Sequence, residues 1–85
     1  MAIIIRIDGH EDDPPVQAVY SFEEIRQLIH ARWLEVVAIP KKSAQIMLVD
    51  EEGLLFNKEI NLNASALAQR RIVGDVFICD RSQIK

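Results

Sequence analysis

Apolar residues recur along this chain at two spacings, one suited to strands and one to helices. Ile3, Ile5 and Ile7 alternate with Ile4 and Arg6, and β-branched residues at that period predict a first strand over Ala2 to Ile7. Trp33 to Ile39 alternates again, with Leu34, Val36 and Ala38 on one face and Glu35, Val37 and Ile39 on the other, until Pro40 stops it. Two apolar runs, Ala44 to Val49 and Leu54 to Phe56, flank Asp50-Glu51-Glu52-Gly53, which predicts a hairpin with Gly53 at positive φ and three carboxylates on an exposed tip. These runs make a meander of three antiparallel strands. Val76 to Cys79 is continuously apolar and reads as a strand buried on both faces. Val16 to Val19 is a candidate short strand.

Helical spacing occurs twice. Ser21-Phe22-Glu23-Glu24 has the form of a capping box, Tyr20 is placed to staple onto Ile25, and Phe22, Ile25, Leu28 and Ile29 form one stripe of a helix ending between His30 and Arg32. Asn63 is the expected cap of a second, alanine-rich helix over Ala64 to Arg70, with Leu62 and Leu67 as its staple and Arg70 and Arg71 near its negative end. Asp8 to Pro15 reads as an exposed acidic loop, and Asp80 to Lys85 as a frayed polar tail. The pattern implies a single α+β domain over 1–85, with a mixed or mostly antiparallel sheet of four to six strands and two helices packed on one face.

Composition narrows the class. In 85 residues, 49% hydrophobic and 27% charged, neither disorder nor a membrane protein is indicated. The apolar runs are too short to cross a bilayer, and Arg6 interrupts the start before a signal-length stretch is reached. The balance of 10 Lys and Arg against 13 Asp and Glu argues against direct nucleic-acid binding. The single Cys79, among Val76, Phe77 and Ile78, reads as a buried thiol in a reducing compartment, hence a cytoplasmic location in a bacterial host.

Leu34-Glu35-Val36-Val37, Val49-Asp50-Glu51-Glu52-Gly53, Leu62-Asn63 with Ala66, and Ile72-Val73-Gly74-Asp75-Val76 occur in an order that resembles a family of small domains of unknown function (domain of unknown function 3846) found in bacteria, phages and plasmids. The resemblance covers Trp33 to Cys79 and singles out Asp50, Glu51, Gly53, Asn63, Ala66, Gly74 and Asp75. It implies a gene carried on mobile elements, in a setting where short proteins act by binding host or defence components.

Little in the chain points to catalysis. There is no phosphate loop, nucleophile elbow or cysteine pair, and His10 with Glu11, Asp12 and Asp13 lacks a metal-ligand spacing, so no enzyme, metal or cofactor is expected. The expected function is a non-enzymatic binding protein, an anti-CRISPR-like counter-defence inhibitor. Its acidic surface (Asp50, Glu51, Glu52, Glu11, Asp12 and Asp13) docks on a basic host or defence-system protein, with Trp33 either in the core, the favoured placement, or anchoring the partner. The alternative is a homodimer or higher homo-oligomer that sequesters a nucleotide-type ligand at Asn63, Ser65, Arg70, Arg71, Gly74 and Asp75.

Overall fold

A computed structural model describes residues 1–53, 55 and 57–85. Strands β1 (Ile3–Ile5), β2 (Glu11–Asp12), β3 (Leu34–Ala38), β4 (Gln45–Asp50) and β5 (Val76–Asp80) form one sheet in the order β2-β1-β5-β4-β3. All four ladders are antiparallel. Helix α1 (Phe22–Leu28) joins β2 to β3, α2 (Leu62–Ala68) precedes β5, and a 3-10 turn covers Arg81–Gln83.

The alternation of side chains across the pleat divides the core in two. Ile4, Ile46, Leu48, Phe77 and Cys79 pack with Ile25 and Ile29 of the α1 segment, whereas Ile5, Met47, Val49, Val76 and Ile78 pack with Ala64 and Ala68 of α2. The helices therefore cover opposite faces, not the single face expected. The continuous apolar run of β5 already implied this, because a strand with no polar face needs cover on both sides. Tyr20 closes the α1 side, its ring edge-on to Phe77 at 5.1 Å and its hydroxyl donating to the Pro15 carbonyl at 2.6 Å.

Helix α1 starts as expected. Ser21 Oγ accepts from the Glu24 amide and the Glu24 carboxylate accepts from the Ser21 amide, both at 3.1 Å. It ends earlier, at Leu28, and Phe22 is half-exposed, so Ile25 and Ile29 carry its buried stripe. Helix α2 begins two residues before the expected position. Its cap is Asn61, not Asn63, and Leu62 projects into solvent where a staple was expected.

The predicted hairpin is also displaced. β4 has β3 on one side and β5 on the other, leaving no slot for a strand returning from Gly53; Leu55 lies in a turn, and Leu54 and Phe56 are outside the described residues. Gly53 does not adopt positive φ. It is small because a Cβ there would meet Val73 Cγ2 at 2.6 Å. Among the glycines positive φ falls instead at Gly9 and Gly74. Val16 to Val19 is not a strand; the chain pairs earlier, at Glu11–Asp12, once the turn closed by Arg6 N–H to the His10 carbonyl has reversed it. The tail is docked, not frayed: Ile84 packs on the α1 side and the Lys85 amide donates to the Tyr20 carbonyl.

Candidate functional site

Strand register decides which acidic side chains share a surface. Glu11 stands opposite Ile5 and so lies on the α2 face, whereas Asp12 stands opposite Ile4 and lies on the α1 face. Ile3, Ile5 and Ile78 floor a groove of about 320 Å³ on the α2 face, Leu67 of α2 walls it, and Glu11 and Asp13 stand at its rim with Lys42 and Gln45. The groove exists because α2 is only seven residues long and buries alanines, Ala64 and Ala68, so it covers one end of this face and leaves the other open.

On the α1 face Asp12 is already engaged. Arg6 Nε donates to Asp12 Oδ2 at 2.7 Å, and Arg6 Nη1 donates to Asp75 Oδ2 at 3.0 Å and to the Leu28 carbonyl at 2.9 Å. Asp75 Oδ1 also accepts from the Ile7 amide. The hydrogen bond that Arg6 donates to Asp12, and then the one to Asp75, raises the guanidinium above its ordinary value against the opposing effect of burial. This cluster ties the end of β1 to β2, to the end of α1 and to the start of β5. Beside it, Asp8 accepts from the amide and ring of His10, which lowers the carboxyl and raises the imidazole.

The acidic turn does not form the exposed tip expected. Asp50 is 7% exposed and paired with Lys58 Nζ at 2.5 Å, while its second oxygen accepts from the Glu52 amide. Lys58 also donates to the His30 carbonyl, and its methylenes lie where a Cβ on Gly74 would fall. Glu51 is exposed, but Glu35, Arg70 and Arg71 border the same small hollow, so that surface is of mixed charge. Trp33 is 55% exposed and is not core.

The expected anion site is not assembled. Asn63 is exposed, the Ser65 hydroxyl both accepts from and donates to the Ile72 backbone, Arg70 leans on Glu35 at 3.7 Å, and Asp75 is held by Arg6. Asn61 takes the position those residues would need: its Oδ1 accepts from the Ala64 amide at 3.0 Å. Sequence reading missed Asn61 because the polar stretch from Asn57 has no periodicity; a second capping residue two positions before Asn63 was the available signal. Burial pushes the Cys79 thiol up to about 11, which leaves it protonated and unreactive at neutral pH. Among the described residues no three His, Cys, Asp or Glu side chains stand together as a metal site, and no helix is long and apolar enough to cross a membrane.

Five antiparallel strands with a short helix on each face, and a groove bordered by Glu11, Asp13 and Lys42 at one end, define a small α+β domain. The chain belongs to the family described as domain of unknown function (DUF3846), whose family model matches residues 1–84. The match takes in the first third of the chain, beyond the segment from Trp33 to Cys79. No curated protein and no solved structure matches the chain.

Proposed function

We propose that this domain is a non-enzymatic binding protein, and that it captures a basic, partly apolar segment of another protein in the groove between β1, β2 and the end of α2. The observation carrying the proposal is the register of β2, which sets Glu11 beside Ile5 so that carboxylates border an apolar floor. An apolar anchor supplies affinity when it is desolvated, and rim carboxylates steer and orient lysines or arginines flanking it. Relative to the surface expected from sequence, which joined the Asp50 turn to the Glu11 to Asp13 loop, the acidic contribution narrows to Glu11 and Asp13, with Asp12 withdrawn to Arg6, Asp50 paired with Lys58 and Glu51 set among arginines. We place this capture in a counter-defence setting, in which occupying a basic host surface is enough to block it. A nucleotide-sequestering role draws no support from the positions of Asn63, Ser65, Arg70 and Arg71.

Fluorescence anisotropy with labelled synthetic peptides tests the proposal. A peptide alternating leucine and lysine is expected to bind saturably, and a leucine–glutamate peptide is expected not to. The double variant Glu11→Lys, Asp13→Lys is expected to weaken the first at least about tenfold, the scale of one lost rim-charge set. Equal binding of both peptides, or no effect of the double variant, would exclude the groove rim from recognition.

A further inference from the structure

The two edges of the sheet differ in kind. β2 is two residues long and acidic, but β3 presents five residues, and among the described residues no strand lies outside it. The Glu51 amide donates to the Trp33 carbonyl, so in the β3–β4 ladder Trp33, Glu35 and Val37 spend their backbone groups on β4. The N–H and C=O groups of Leu34, Val36 and Ala38 therefore point away from the sheet. A long, apolar, unblocked edge of this type is a template for another strand. None of the three outward positions carries a charge or a proline, and Glu35, the one charge within the strand, is drawn to Arg70 at 3.7 Å. The side chains agree: Val36 is 51% exposed and the neighbouring Trp33 55%.

We propose that the occupant of this edge is a second copy of the chain, paired antiparallel about a two-fold axis through Val36. Self-complementarity selects that register. Centred on Val36, Leu34 faces Ala38 of the other copy, Val36 faces Val36, and the three outward pairs exchange about six hydrogen bonds with apolar side chains throughout. Centring on Glu35 would set like carboxylates directly opposite. Centring on Val37 would set Leu34 against Pro40, which has no N–H to give. In the chosen register Trp33 falls opposite Ile39 of the other copy, and Glu35 opposite Val37, with Arg70 standing 3.7 Å from the carboxylate. The pairing joins two five-stranded sheets into one, and places the groove-bearing β1–β2 ends at its two extremities.

Light scattering over a concentration series, read beside the emission of the single Trp33, tests the proposal. The mass is expected to reach twice 9.7 kDa, with the emission moving to the blue over the same concentrations. Val36→Lys puts two ammonium groups on the axis and is expected to restore the single-chain mass and the red emission while the far-ultraviolet circular dichroism is retained. Should that variant fail to fold, Ala38→Lys, at an exposed outward position, is expected to give the same result. A single-chain mass up to about 1 mM, the limit of a meaningful association, would overturn the proposal, as would a dimer whose mass neither folded variant changes.

Discussion

The side-chain amide of Asn61 satisfies three backbone groups from three parts of the chain. It caps α2 through Ala64, and its Nδ2 donates to the carbonyls of Ile5 at 2.9 Å and Gly74 at 3.0 Å, with the residue only 1% exposed. Asn61→Ala removes the cap and strands two buried carbonyls, which together cost about 3 kcal/mol. The midpoint of thermal unfolding is expected to fall by more than about 10 °C, while Asn63→Ala, at an exposed helical position, stays within about 0.5 kcal/mol of the parent. His10 gives a pH-dependent counterpart. Its folded pKa is raised above 6.5 by Asp8, so its contribution is complete below 6.5 and is lost as pH rises through the folded value. Asp8 is depressed, so its contribution is present above 3.8 and lost as pH falls through its folded value. The His10 ring protons, followed by NMR, are expected to titrate above 6.5, and Asp8→Asn is expected to lower that midpoint; an unchanged midpoint would separate the two residues. At this scale the sequence showed Ser21 and Glu24 plainly, because a capping box is local. It hid Asn61, whose partners Ile5 and Gly74 are remote from it in sequence.

Single polar ties add to the packing that holds the elements together. Asp50 at the end of β4 and Lys58 form such a tie, with the Asp50 side chain 3% exposed and that of Lys58 24%. Lys58→Ala leaves a carboxylate buried without its cation and is expected to cost about 2 kcal/mol in denaturant unfolding, less than a fully enclosed pair because Lys58 is partly solvated. A loss below about 0.5 kcal/mol would show the tie to be a surface pair. The same tie explains why the structure departs from the hairpin expected over Ala44 to Phe56. An acid-acid-x-glycine turn looks like a solvated tip when only its neighbours are considered, and β4 becomes a central strand only once β5 arrives from 26 residues further on. The alternation of β3 and the continuous apolar runs of β4 and β5 were legible, since each is a property of its own segment. Sheet order was not, because it depends on which apolar faces the helices cover.

At the scale of the whole molecule, the sheet has an acidic end at β2 with a groove beside it and an apolar edge at β3. The acidic residues visible in sequence did not fix the acidic surface, because two of the six candidate carboxylates are spent internally, Asp12 on Arg6 and Asp50 on Lys58. The expectation of a binding surface now rests on Glu11, Asp13, Ile3, Ile5, Leu67 and Ile78, whose convergence requires the register of β2 and the shortness of α2. Heteronuclear NMR of the isotope-labelled domain, titrated with the leucine–lysine peptide, is the most direct measurement of that claim. Saturable shifts concentrated on Ile3, Ile5, Glu11, Asp13, Leu67 and Ile78 are the predicted result. Shifts centred on Glu51, Arg70 and Arg71 with the groove silent, or no saturable shifts at all, would contradict it.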